Sequence, residues 1–134
     1  MKTIRQLSYR VLALFFLLSC QTEPSASLKL MLFQADWCPP CKSLEKELAV
    51  ANIQTDWRVD DEGCIYHVLV ERIDYSDFEK NKKAPHRNFK KTDSMPEQAL
   101  FLDEKLIAND NYSDKASLES FIRSSIKPVS YTHL

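Results

Sequence analysis

The sequence predicts a single α/β domain in which about four strands form a mixed sheet flanked by helices. The apolar run Leu28–Gln34 has the length and character of a buried strand, and apolar residues at helical spacing follow it over residues 44–51. Two further apolar runs, at 65–74 and 98–102, also have strand character. A length of 134 residues is enough for one small domain and not for two.

The first 20 residues resemble the export signal of a bacterial lipoprotein. Three basic residues precede an apolar stretch at 11–18 that is too short to span a bilayer. The stretch ends in Leu17-Leu18-Ser19-Cys20, which resembles the lipobox, whose cysteine is lipidated and becomes the first mature residue. The resemblance implies a membrane anchor made of acyl chains on Cys20. A plain cleaved signal, in which Cys20 has no role, is the alternative.

Residues 21–27 are polar and contain proline and serine, which predicts a short tether before a domain at 28–127. Without the three basic residues of the signal, 15 basic residues face 19 acidic ones, so the mature chain is mildly acidic. This balance argues against nucleic-acid binding. We expect the mature chain to be a monomer.

Two cysteines lie where the first strand ends and the first helix begins. The unpaired N–H groups of a first helical turn carry partial positive charge, which stabilises a thiolate at Cys38. Cys41 lies nearly one turn further on, close enough to form a disulfide with Cys38. Pro40 lacks an N–H group, which a first-turn position does not need. The segment predicts a redox dithiol; a structural or accidental Cys-x-x-Cys pair is the alternative.

The segment Trp37-Cys38-Pro39-Pro40-Cys41-Lys42, after an apolar strand, resembles the active site of the thioredoxin family. Its proline pair is similar to that of the tryparedoxin and nucleoredoxin branch. Ala35-Asp36-Trp37-Cys38 also resembles the C-terminal domain of the membrane reductant that supplies the bacterial periplasm with electrons. The resemblance implies a thioredoxin-like fold and a protein-disulfide oxidoreductase that needs no cofactor besides its own disulfide. No room remains before Leu28 for the family's extra strand and helix, so we expect a reduced, glutaredoxin-like core.

The resemblance also implies roles for the residues of this segment. Cys38 is the expected nucleophile, with an exposed thiolate, and Cys41 is the thiol that resolves the mixed disulfide. Trp37 is expected to shield the site, and Lys42 to add positive charge. Pro39 and Pro40 complete the site and supply neither charge nor a side-chain donor.

One position departs from the family pattern. Thioredoxins usually carry a buried aspartate six residues before the nucleophile, where it accepts the proton of the resolving cysteine, but this sequence has Leu32 there. Asp36 and Glu45 are near the dithiol in sequence, and neither is assigned as the acceptor.

Strand and loop patterns continue beyond the first helix. Residues 52–63 are polar and acidic and predict a loop or a frayed extension of the helix, whereas 65–74 predict a second strand parallel to the first. The lysine-rich stretch 77–91 predicts a broken helix or a solvated connector. Met95 and Pro96 precede the third core strand, where the thioredoxin family has a cis-proline that faces the dithiol. By that resemblance, the backbone of Met95 is expected to pair with an extended substrate peptide.

The C-terminal part predicts an edge strand and a last helix. Residues 106–108 predict an antiparallel edge strand, and Asp114 is a candidate N-cap for a helix with one apolar face. Pro128 is expected to end that helix. Residues 128–134 are expected to be an unstructured tail, and 129–134 resemble a translated sequencing-adapter scar.

Export would place the protein in the bacterial cell envelope, facing the periplasm, in an oxidising compartment. The uncharged proline pair favours a reductant of protein disulfides, which would need a membrane thiol-disulfide partner as electron donor. A disulfide oxidase or isomerase is the alternative within the same chemistry.

Metal binding is the alternative from another class. Cys38, Cys41, Cys64 and His67 have spacings that imitate zinc ligands. A copper-handling protein would need a histidine near the dithiol, with His86 the main candidate besides His67. We expect no metal at the dithiol, and both histidines are more simply explained as ordinary residues without a function. Cys64 is otherwise expected to be a small buried apolar residue or an odd thiol.

Overall fold

The computed structural model describes residues 27–77, 85–90 and 94–132, without the side chains of 85, 86 and 128–132. Within these ranges, five strands form one mixed sheet in the order β2-β3-β1-β4-β5. The same ranges contain two helices and one short 3-10 helix, which accompany the sheet. The elements are β1 (Leu28–Gln34), α1 (Pro39–Val50), β2 (Asp56–Asp61), β3 (Cys64–Asp74), the 3-10 helix (Pro85–Phe89), β4 (Glu97–Leu102), β5 (Lys105–Asp110) and α2 (Lys115–Thr132).

Strand β1 is the centre of the sheet. It pairs in parallel with β3, from Leu28 opposite Val68 to Gln34 opposite Asp74, and antiparallel with β4 on its other side. Five of its seven residues are buried, which explains its continuous apolar sequence. The predicted strand over 28–34 and its parallel partner are confirmed.

The two faces of the sheet pack against different parts of the chain. Leu30 and Leu32 point into the main core, which also contains buried residues of both helices, among them Leu44, Leu48, Leu118 and Ile122. The alternate residues Met31 and Phe33 belong to a second cluster with Tyr75, Ala99 and Phe101. Among the described residues, those that pack on the second face come from the connecting segments around Tyr75 and Phe89, and not from α1 or α2.

The expectation of a loop over 52–63 is wrong, because β2 lies within it. Strands β2 and β3 form an antiparallel hairpin, and both turn residues have positive φ, 52° at Glu62 and 82° at Gly63. Positive φ at both positions is typical of the tight turns that join such strands. Trp57 and Val59 are buried, whereas Asp56, Arg58 and Asp60, which alternate with them, are exposed. The sheet therefore has five described strands and not the four expected.

Helix α2 begins as predicted and ends later than predicted. The Asp114 Oδ1 atom accepts a hydrogen bond from the Ser117 backbone N–H at 2.8 Å, so Asp114 is the N-cap. The helix continues to Thr132, past Pro128, where we expected it to end. A proline removes one backbone hydrogen bond from a helix, but its fixed φ is itself helical, so the chain can continue.

The proposed signal at 1–20, which includes Cys20, lies outside the described residues. So do residues 21–26 of the tether, 78–84 and 91 of the connector, 92–93, and 133–134 of the tail. In the part of the chain that the structure describes, no helix combines the length and apolar character needed to cross a membrane.

Candidate redox site

Cys38 and Cys41 form a disulfide at the start of α1, with 5.3 Å between their Cα atoms. Cys38 is the N-cap residue, in an extended conformation, and its Sγ accepts a hydrogen bond from the Cys41 backbone N–H at 3.2 Å. Pro39 and Pro40 occupy the first two helical positions and have no N–H to offer. The Cys41 N–H is thus the first-turn donor that would stabilise a thiolate on Cys38.

Both cysteines of the disulfide are buried, which corrects the expectation that Cys38 is exposed. Cys38 is 3% exposed and Cys41 is 2% exposed, and the pair packs against Ala35 and Met95. Trp37, expected to shield the pair, is 61% exposed, so most of its side chain faces solvent. In the oxidised state, the cover over the sulfur atoms includes Ala35 and Met95.

The segment before β4 adjoins the disulfide as predicted. The Met95–Pro96 peptide bond is cis, and Met95 packs against the cluster formed by Ala35, Cys38 and Cys41. Asn111 holds this segment from the far side, because its Nδ2 donates to the Pro96 carbonyl at 3.1 Å.

An open groove of about 330 Å³ lies beside Cys41. Helix α1 contributes Cys41 and Glu45, which are four residues apart and therefore lie on the same side of the helix. The Glu45 carboxylate pairs with Arg72 at 2.6 Å. Leu32 is buried in the main core, and the carboxylates that line the groove are those of Asp36, Glu45 and Asp74. Lys42 also lines this groove.

A serine that the sequence did not indicate joins β3 to the active-site segment. The Ser76 Oγ accepts a hydrogen bond from the Asp36 backbone N–H at 2.9 Å and donates one to Asp74 Oδ1 at 2.5 Å. The Tyr75 N–H also donates to the Gln34 carbonyl at 2.6 Å. The parallel pairing of β1 and β3 brings their carboxyl ends together, which is the signal that could have identified Ser76.

The structure separates the four residues considered as zinc ligands. The first residue of β1, Leu28, lies opposite Val68 of β3, and Cys64 comes four residues before Val68. Cys38 comes four residues after Gln34, the last residue of β1. Because β1 and β3 are parallel, Cys64 and His67 lie at the opposite end of the sheet from the Cys38–Cys41 pair, at least about 20 Å away. The zinc hypothesis for this set is therefore wrong.

The other metal candidates stand as follows. The His67 Nδ1 lies 3.4 Å from Asp56 Oδ2 on the exposed surface of the hairpin. The side chain of His86 lies outside those described. Cys64 is buried, as expected, but it is disulfide-bonded rather than an odd thiol, and its partner is not among the described residues. Among the residues that the structure describes, no three His, Cys, Asp or Glu side chains are grouped to hold a metal ion.

No protein-family model matches the chain, and no curated protein matches it in sequence. Solved structures do match it in three dimensions. They include Trxlp from Edwardsiella tarda EIB202, with 21% identity, coverage of 73% of this chain and 84% of that chain, and a TM-score of 0.50. Thioredoxin-2 of a malaria parasite is 18% identical, with coverage of 74% and 84% and a TM-score of 0.51. The germline-specific thioredoxin Deadhead of Drosophila melanogaster is 20% identical, with coverage of 89% and 90% and a TM-score of 0.51. The chain therefore has the thioredoxin fold.

Proposed function

We propose that the chain is a thiol-disulfide oxidoreductase that reduces protein disulfides through Cys38 and Cys41. The observation that carries this proposal is the position of the disulfide. It lies at the N-terminus of α1, with the Cys38 Sγ hydrogen-bonded to the Cys41 N–H, and it packs against Met95 of the segment before β4. A purely structural disulfide would not require a helix terminus that stabilises a thiolate.

The reaction begins with the reduced dithiol. The Cys38 thiolate attacks one sulfur of a substrate disulfide, which forms a mixed disulfide and releases the other substrate sulfur as a thiolate. Cys41 then loses its proton and attacks the Cys38 Sγ. This closes the Cys38–Cys41 disulfide and releases the second substrate thiol, so two electrons pass to the substrate. The groove beside Cys41 is open and is lined by the carboxylates of Asp36, Glu45 and Asp74, to which the departing proton can pass. A second dithiol, in a membrane partner, would restore the reduced state.

The proposal is tested by replacing each cysteine separately. Cys38→Ser should abolish the reduction of a protein disulfide such as that of insulin, because the nucleophile is lost. Cys41→Ser should accumulate mixed disulfides, because the resolving thiol is lost, and these adducts should be visible on non-reducing gels. Full and equal activity of both variants would refute the mechanism.

The cell-envelope location is a second part of the proposal. The resemblance of residues 1–20 to a lipoprotein signal supports cleavage before Cys20 and acylation of that residue. The intact mass of the full chain expressed in a bacterial host should show the acyl chains, and Cys20→Ala should release the protein from membranes. Membrane association that persists in Cys20→Ala would contradict lipidation.

A further inference from the structure

A buried ion pair lies next to the segment that covers the disulfide. Lys90 follows the 3-10 helix, and Glu97 is the first residue of β4, directly after Pro96. The Lys90 side chain is 6% exposed and that of Glu97 is 0% exposed, with 3.8 Å between Nζ and Oε1. The Gln98 side chain forms hydrogen bonds with the Tyr112 backbone, on the face of the sheet that carries the helices. Successive residues of a strand point to opposite faces, so Glu97 lies on the other face, and Lys90 lies there with it.

The Lys90 ammonium contacts the first and the last residue of segment 94–97. Its Nζ donates to the Ser94 carbonyl at 2.9 Å and lies beside the Glu97 carboxylate, so it contacts both ends of that segment. It also lies 5.6 Å from the centre of the Tyr75 ring, where a cation is attracted to the aromatic face. Met95, which packs against Cys38 and Cys41, lies between the two ends.

The backbone at Lys90 is itself held in place. The Phe89 ring meets the Phe101 ring edge-on at 4.9 Å, and the Phe89 carbonyl accepts a hydrogen bond from Asn109 Nδ2 at 3.3 Å. The Lys90 N–H donates to the Arg87 carbonyl at 3.1 Å. Lys90 therefore connects a fixed part of the fold to segment 94–97, while Asn111 holds the Pro96 carbonyl from the other side.

A buried ion pair is a poor means of stabilising a small domain. The loss of hydration at both charges offsets most of their attraction, and apolar replacements are often at least as stable. What such a pair supplies is a defined geometry, because the mutual attraction of two buried charges holds the groups that carry them at a fixed separation. In this molecule the geometry it defines is that of the backbone beside the disulfide.

We propose that Lys90 and Glu97 are positioning residues that hold segment 94–97 as a preformed docking edge for the extended peptide around a substrate disulfide. This inference rests on the proposed reductase function and specifies how that site selects its substrate class. A peptide that adds to an edge needs the N–H and C=O groups of Met95 at fixed positions. A small disulfide, which makes no backbone pairing, does not need them.

The test compares two substrates in the full chain. Lys90→Met removes the ammonium but keeps the length of the side chain, and Lys90→Met combined with Glu97→Gln removes both charges of the pair. We expect both variants to raise KM for a protein disulfide by on the order of tenfold, with kcat and the rate on a small aromatic disulfide nearly unchanged. Lys29→Met is the matched control, because Lys29 also lies over an aromatic ring, at 5.2 Å from that of Phe101, and pairs with a glutamate, but away from segment 94–97.

Amide hydrogen exchange provides a readout that does not depend on activity. Exchange at Glu97 and Gln98 should accelerate in the double variant, while exchange in β2, at the far edge of the sheet, stays unchanged. Equal losses on both substrates, or an unchanged KM in a folded double variant, would overturn the positioning role. Absence of activity of the unchanged chain on both substrates would instead overturn the oxidoreductase proposal itself.

Discussion

The chemistry of the site depends at the residue scale on which backbone N–H groups can reach one sulfur atom. An N-cap side chain usually accepts from the second or third helical N–H. The second helical position here is Pro40, which has none, and the third is Cys41, whose N–H donates to Cys38 Sγ at 3.2 Å. The proline pair therefore limits how strongly the first turn stabilises the thiolate, which agrees with a reductant rather than an oxidant.

Pro40→Ala should make the dithiol more oxidising. The new N–H at the second helical position can donate to Cys38 Sγ, which stabilises the reduced form and raises the reduction potential by roughly 30 mV, a tenfold change in equilibrium constant. Redox titration against glutathione measures this shift. Pro39→Ala is the matched control, because an N–H at the first helical position points away from the cap and should leave the potential nearly unchanged. A potential that falls or stays constant in Pro40→Ala would contradict this account of the first turn.

At the scale of elements, strand β2 of the β2–β3 hairpin could not be predicted from its local sequence. The outward residues of β2 are Asp56, Arg58 and Asp60, all charged, and the turn at Glu62 and Gly63 lacks the Asn-Gly or Asp-Gly pair that usually marks such turns. The buried pair Trp57 and Val59 carried the correct alternation, but over too short a span to distinguish a strand from a loop. Pairing with β3 determines the strand, and pairing between strands is not visible in a short window.

Gly63→Ala should weaken this hairpin. Gly63 has a φ of 82°, and an added Cβ would meet nothing within 4 Å, so the cost comes from the backbone conformation and not from a clash. An alanine in the left-handed region costs about 1 kcal/mol, which thermal unfolding would detect as a lower Tm. Gly63→Asn should lose less, since asparagine tolerates this region better. Equal stability of Gly63→Ala and the unchanged chain would show that the turn can rearrange.

The N-cap of α2 makes a pH-dependent prediction. The hydrogen bond from the Ser117 N–H holds the pKa of Asp114 below its ordinary value of 3.8. The carboxylate therefore stabilises the folded state fully at pH values above 3.8, and this contribution is lost as the pH falls through the lower folded pKa. Asp114→Ala should be less stable than the unchanged chain near neutral pH, and the difference should shrink in strong acid. Urea unfolding at the two pH values checks this, and Asp114→Asn, which keeps a neutral cap, should show a stability near neutral pH closer to that of the unchanged chain.

Much of the whole molecule followed from local sequence, because the central features are contiguous. Strand β1, the dithiol and α1 lie within one stretch of the chain, so their order alone placed Cys38 and Cys41 at a helix N-terminus. The features that were missed depend on contacts between distant segments. The burial of Cys38 under Met95, the Ser76 link to Asp36 and the Lys90–Glu97 pair all require the fold to bring separate parts together. The end of α2 was predicted too early for a different reason: the backbone hydrogen bond lost at Pro128 does not end the helix, which continues to Thr132.

The reduction potential of the Cys38–Cys41 pair tests the central claim most directly. For a thioredoxin-like reductant, equilibration with a dithiol buffer should give a reduction potential of about −270 mV. Cys64→Ala should leave this potential unchanged, because Cys64 lies at the far end of the sheet. A value near about −120 mV would mean that the protein oxidises its partners. A disulfide that resists reduction well below about −300 mV would be structural, and the dithiol would then have no catalytic role.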